Sequence, residues 1–220
     1  MFINKYLFLI CFSFIYSFQG MFVDDNGNHM AFSGQYETET EDEGKQTARG
    51  GTASYILGGN VELGVSFAKA NFDHDEGSSY DFDLNFIGGG GYYYIKNVAP
   101  VNFVLGAGFD TVSADGNFLE GSNNGVGDMT MEGSLISYGG GAYKQVASGA
   151  GYQITPFVLF SMNSMELTMD IDGFGELEET DEYNVISFGL GIELGQFTIT
   201  PTMSSSDGNN DFNLTVGFIL

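Results

Sequence analysis

Phe212-Asn-Leu-Thr-Val-Gly-Phe-Ile-Leu220 alternates large apolar side chains with mostly small or polar ones, up to the last residue. Successive side chains on an extended chain point to opposite sides, so a period of two marks a β-strand with two unlike faces. The same beat recurs in Ile186, Phe188, Leu190, Ile192 and Leu194, set against Val185, Ser187, Gly189, Gly191 and Glu193.

Working outward from these two segments, period-two runs bounded by Gly, Asn and Asp predict strands near 30–38, 46–57, 60–72, 80–95, 102–113, 129–146, 153–170, 183–194, 196–204 and 211–220. Short links at Gly58-Gly59, Lys96 to Val101, Ala147 to Tyr152 and Gly195 alternate with longer, acidic or Gly/Asn-rich ones. The longer links are Glu39 to Lys45, Asp73 to Ser79, Ala114 to Asp128, Ile171 to Glu182 and Ser205 to Asn210. That alternation predicts an all-β, antiparallel up-and-down transmembrane β-barrel of ten strands, with short periplasmic turns and longer acidic outer loops. An eight-stranded barrel is the alternative, because the first and ninth strands are short and Pro201 removes a backbone donor from the ninth.

One face collects Val61, Leu63, Val65 and Phe67, then Tyr80, Phe82, Leu84 and Phe86, then Phe103, Leu105 and Phe109. It continues with Phe157, Leu159, Met165, Leu167 and Met169. The opposite face carries glycine, serine and carboxylates, which cannot form a dry core without partners. The oily face is therefore expected to meet lipid. In hydrocarbon every backbone N–H and C=O needs a partner, so the last strand must pair with the first. A soluble, exported β-protein with the oily face turned inward is the rival fold.

Met1 to Lys5 with one positive charge, the apolar run Tyr6 to Tyr16, and Ser17-Phe18-Gln19 read as a signal peptide over 1–19, leaving 20–220 as one barrel domain. The single cysteine, Cys11, lies inside that leader, so the mature chain is expected to have no thiol chemistry. Six Lys and Arg against 29 Asp and Glu give a net charge of −23, which disfavours nucleic acid as a partner.

The leader Met1 to Gln19 and the terminal strand Phe212, Leu214, Val216, Phe218 and Leu220 resemble those of small outer-membrane β-barrel proteins of Gram-negative-type bacteria. In that family the last strand is an assembly signal, usually ending on an aromatic residue; here the aromatic is Phe218 and the chain ends on Leu220. The resemblance implies a bacterial outer-membrane location, outer-membrane lipid around the barrel, and the barrel assembly machinery as a partner. It names an architecture rather than an activity.

By parity, Glu62, Asp83, Asp110, Glu132, Glu166 and Glu193 are expected in the lumen, either within a hydrogen-bonded polar filling or as a carboxylate ring that prefers cations. Inward glycines such as Gly64, Gly106 and Gly189 would leave room for small ions or solutes. Tyr92, Tyr93 and Tyr94 are expected in the aromatic girdle at the lipid interface. Arg49 and Lys69 are expected on the apolar face at the outer leaflet, facing water or lipid phosphates and sugar acids. Asp207-Gly-Asn-Asn-Asp211 reads as a turn rather than a calcium loop, and Asp73-His74-Asp75 as loop residues rather than a catalytic pair. No cofactor, metal or enzymatic activity is expected. The expected role is structural or that of a small cation-preferring, porin-like channel, with surface binding or adhesion through the acidic outer loops as the alternative.

Overall fold

A computed structural model of the chain describes residues 19–41, 44–74, 80–120, 125–171, 175–206 and 209–220. The expected signal peptide falls outside them but for Gln19. A 3-10 turn, Gln19–Phe22, precedes the strands β1 (His29–Glu41), β2 (Gly44–Leu57), β3 (Val61–His74), β4 (Tyr80–Ile95) and β5 (Asn102–Glu120). Then follow β6 (Gly125–Tyr143), the three-residue β7 (Ala147–Gly149), β8 (Tyr152–Ile171), β9 (Gly175–Leu194), β10 (Phe197–Ser206) and β11 (Asn209–Ile219).

Neighbouring strands pair antiparallel in chain order, and two further pairings close the ring. β1 joins β11 from Ala31↔Ile219 to Glu39↔Asp211, and β6 joins β8 from Met129↔Ile171 to Tyr143↔Phe157. The short β7 bonds to β8 alone, within a connection, so ten strands form the wall. Both the last-to-first pairing and the ten-strand count match the sequence reading; the eight-stranded alternative does not.

Strand pairing runs further than composition suggested at the rim away from Gln19 and Leu220. Residues 114–120 and 125–128 belong to β5 and β6, and residues 175–182 to β9, where acidic and Gly-rich loops were expected. Glycine and carboxylates there look like turn chemistry, but the ladders simply continue through Gly116↔Met129 and Asp170↔Glu176. The acidic stretches are therefore largely strand-paired hairpin ends. The connections at this far rim, 42–43, 75–79, 121–124, 172–174 and 207–208, lie outside the described residues.

The side chains obey two opposite rules along one wall. Outward on β8, Tyr152, Ile154, Pro156, Val158, Phe160 and Met162 are followed by Ser164, Glu166, Thr168 and Asp170. Inward on the same strand, Gln153, Thr155, Ser161 and Asn163 are followed by buried Met165, Leu167 and Met169. The ladders on both sides of β8 run without a register slip across this point, so the pleat keeps its parity and only the chemistry swaps. β9 repeats the pattern, with Leu194, Ile192, Leu190, Phe188 and Ile186 outward, then Asn184, Glu182, Thr180, Glu178 and Glu176. β3 changes after Phe67, to Lys69 and Asn71, and β5 after Phe109, to Thr111 and Ser113.

The near half is thus a belt with bare oily side chains: Val65, Phe67 and Ile87 are 64%, 65% and 67% exposed. A continuous patch of this kind is unstable in water and stable in lipid. The run Tyr152–Met162 matches the roughly 9–11 residues a tilted strand needs to cross a bilayer. The far half is built like a water-soluble barrel. Its interior is an apolar core that includes Ala70, Leu84, Phe86, Val112, Met129, Leu135 and Met165.

This inversion corrects part of the face assignment. Leu84, Phe86, Met165, Leu167 and Met169 point into the barrel, because above the lipid the oily face must turn away from water. Phe157 and Leu159 also point inward, lower down, where Phe157 packs beside the segment that fills the near end.

Candidate functional site: the plugged near end of the lumen

The near mouth of the lumen holds the chain's own N-terminal segment. Gln19, Gly20, Met21, Phe22 and Val23 are all buried. Met21, Phe22 and Val23 pack with Ala31, Ile56, Tyr92, Tyr94, Val104, Tyr143, Phe157 and Ile219 in one cluster. Glycine leaves room for two close approaches. A Cβ on Gly20 would lie 2.2 Å from the Tyr94 ring, and one on Gly191 would lie 2.6 Å from the side chains of Met21 and Phe22.

Polar bonds fix the segment from several strands. Glu62, 1% exposed on β3, accepts hydrogen bonds from the Gly20 N–H at 2.9 Å, the Tyr94 hydroxyl at 2.6 Å and the Ser54 hydroxyl at 2.6 Å. Lys96, in the turn after β4, donates to the carbonyl of Gly20 at 2.9 Å and to that of Val23. Its ammonium also lies 5.6 Å from the centre of the Tyr94 ring. Thr198 donates to the Gln19 side-chain oxygen at 2.7 Å, and the Gln153 amide reaches the Met21 carbonyl at 3.4 Å. Burial holds the Lys96 ammonium below the usual lysine range, opposed by the charges of Asp24, Asp25 and Glu62. On the exposed loop before β1, His29 sits 2.7 Å from Asp25. That hydrogen bond, helped by the Gly27 N–H, lowers the Asp25 carboxyl from its ordinary value.

Of the six carboxylates expected in the lumen, Glu62, Asp110 and Glu193 point inward. Glu62 holds the plug, and Asp110 accepts from Ser66 at 3.3 Å in a polar layer between the plug and the far core. Asp83, Glu132 and Glu166 point outward, because they lie in the far half, where carboxylates face water. They form no lumen ring. Tyr93 is on the outer wall, 53% exposed, but Tyr92 and Tyr94 point inward as the pleat requires, and are correspondingly buried. Their rings lie 6.2 Å apart, with Tyr143 6.1 Å from Tyr94 in an edge-on arrangement.

Arg49 and Lys69 are cross-strand partners on the outer wall, one step beyond the outward Gly51 and Phe67. Arg49 lies over the Tyr36 ring at 5.9 Å, and Lys69 pairs with Asp83 at 2.5 Å. This is the level at which the wall changes from oily to polar. Phe212, Leu214, Val216, Phe218 and Leu220 all face outward at the closing strand, with the Phe218 ring tilted against that of Phe197 at 5.0 Å. The side chains of Asp73 and His74, and residue Asp75, lie outside the described residues. Among the described residues no group of three or more His, Cys, Asp or Glu is placed to hold a metal ion.

The sequence reading missed the plug. Gly20-Met-Phe-Val23, an apolar run between the expected leader and the first strand, was the signal for it, but has no period to place it on any wall.

No protein-family model and no curated protein sequence matches the chain. Solved structures share the overall shape. The translocator domain of the autotransporter NalP from Neisseria meningitidis superposes with a TM-score of 0.64 at 10% identity, covering 91% of this chain and 90% of that one. Its fold is that of an outer-membrane β-barrel. The β domain of the Bordetella autotransporter BrkA gives a TM-score of 0.50 at 13% identity, covering 89% and 99%. At such identities the likeness carries the architecture alone. The apolar belt of this barrel independently calls for a lipid surround.

Proposed function

We propose that the chain is a resident of a bacterial outer membrane that works at its surface, as a sealed barrel holding an acidic wall above the lipid. The observation that supports this reading most directly is the inversion of polarity along the strands. It leaves Glu132, Glu166, Asp170, Glu176, Glu178 and Glu182 outward on the adjacent strands β6, β8 and β9, beyond the oily belt. A sheet face of one charge sign attracts cationic partners and repels anionic ones. In this reading the near rim with its plug is periplasmic, Arg49 and Lys69 meet phosphates or sugar acids of the outer leaflet, and the outward terminal strand is what the barrel assembly machinery engages.

Binding of fluorescent polylysine to cells carrying the protein tests the surface role. Replacing Glu166, Glu176 and Glu178 together by Gln should lower that binding while leaving barrel insertion intact. Unchanged binding would contradict the proposal.

A channel is the second reading, favoured by the inward Asp110 and the polar layer around it. It requires the plug to leave, since Met21 and Phe22 fill the near mouth. The folded protein should therefore be electrically silent in planar bilayers, and steady cation-selective conductance by the wild type would favour the channel instead.

A further inference from the structure

Glu62 is a buried carboxylate that no cationic side chain contacts, although the Lys96 ammonium feels its charge from a distance. Among the described residues no Lys, Arg or His forms an ion pair with it, and Lys96 directs its ammonium to the carbonyls of Gly20 and Val23 instead. Hydrogen bonds from Ser54, Tyr94 and Gly20 soften the cost of burying the charge but do not neutralise it. Beside the two hydroxyls, the groups aimed at the carboxylate are main-chain nitrogens at the point where the leader was expected to end. Gly20 N stands 2.9 Å away, and the Gln19 N–H also reaches the same carboxylate.

We propose that the Glu62 pocket is a receptor for the chain's own processed N-terminus, whose α-ammonium supplies a counter-charge in direct contact and locks the plug in the barrel. The proposal rests on leader cleavage by a signal peptidase and not on the acidic wall, so either can fail alone. Hydrolysis of the peptide bond on either side of Gln19 consumes one water. The leader keeps the carboxyl group, and the barrel gains an amine that takes up a proton at neutral pH. That ammonium replaces a neutral N–H donor with a charged one, and charge-assisted bonds are roughly twice as strong. The pocket suits such an end. The Tyr94 ring excludes any side chain at position 20, and Lys96 and Gln153 hold the carbonyls that follow. Before cleavage the same carboxylate would be buried with neutral donors only, so processing and sealing of the barrel are coupled.

The test uses the protein purified from its membrane in folded form. Intact mass should place the first residue at Gln19 or Gly20. An amine-reactive reagent should label the α-amine more than about tenfold more slowly in the folded barrel than after heat unfolding, because reaction needs local opening. The exposed Lys144 serves as the internal control. Glu62→Gln, which keeps size and removes charge, should raise the folded-state labelling rate by about tenfold or more. Should that variant fail to insert, Tyr94→Phe removes one of the bonds to Glu62 and should give a smaller increase. A retained leader, a first residue elsewhere, a cyclised or blocked amine, or equal labelling rates in the wild type and the variants would overturn the proposal.

Discussion

The two halves of this barrel are made from the same strands at the same parity, yet they are stabilised in opposite ways. In the near half Phe67, Val158 and Phe188 face outward and Ser66, Ser161 and Ser187 face inward. In the far half Glu166 and Glu182 face outward while Phe86, Met165 and Val185 face inward. The solvent outside decides which face is oily: hydrocarbon below the boundary, water above it. A single strand such as β8 therefore records the membrane surface as a point in its sequence, between Met162 and Ser164.

The comparison makes the far half dependent on its core. Phe86→Ala should cost about 3–5 kcal/mol, the usual loss for emptying a packed aromatic site. The outward Phe67→Ala, which only exchanges a lipid contact, should cost far less. Denaturant unfolding in lipid, read by loss of the heat-modifiable gel band, compares the two; equal costs would erase the distinction between the halves.

The near half should be sensitive to charge on its outside. Val65→Arg should cost about 2–4 kcal/mol in the same assay, falling if it sits closer to the interface than to the midplane. Glu166→Arg, at an outward position beyond the boundary, should stay within about 0.5 kcal/mol of wild type. A similar cost at both positions would mean that lipid reaches Glu166.

How far these features were legible follows from the same physics. Strand existence, order and closure were readable because Leu63, Val65 and Phe67, or Phe212 to Leu220, keep an unbroken two-residue beat. The placement of Asp83, Glu132 and Glu166 was not, because one rule, oily side out, was extended past the level where it holds. Nothing in Glu166 alone tells which solvent lies outside it; that needs its neighbours Met165 and Leu167 to be recognised as core. Tyr92 and Tyr94 were misplaced for a different reason. Three consecutive tyrosines cannot share a face in a strand, so only the middle one reaches the outer wall.

The plug offers a smaller effect. Tyr94→Phe leaves the packing of the near mouth and removes one bond to a buried carboxylate, a loss of about 1.5–3 kcal/mol if that carboxylate is charged. Protease cutting near Met21 and Phe22 should accelerate in this variant, with the barrel wall unaffected; unchanged protection would separate the plug from Glu62.

The smallest effect concerns acid. The Asp25 carboxyl, lowered by His29, stabilises the loop beneath the plug above its unfolded value of about 3.9, and this is lost as pH falls through the lower folded value. Below pH of about 4, plug protection should therefore fall slightly more in the wild type than in Asp25→Asn. Parallel acid profiles would remove Asp25 from the account.

Cysteine scanning along β8 locates the boundary between lipid and water, in a background where Cys11 is the sole native cysteine. Val158, Phe160, Met162, Glu166, Thr168 and Asp170, all on one outward row, are changed singly to Cys and exposed to a water-soluble maleimide in intact membranes. Cysteines at 158, 160 and 162 should be protected, and those at 166, 168 and 170 labelled rapidly. Uniform labelling, or protection at Glu166→Cys equal to that at Val158→Cys, would contradict that boundary.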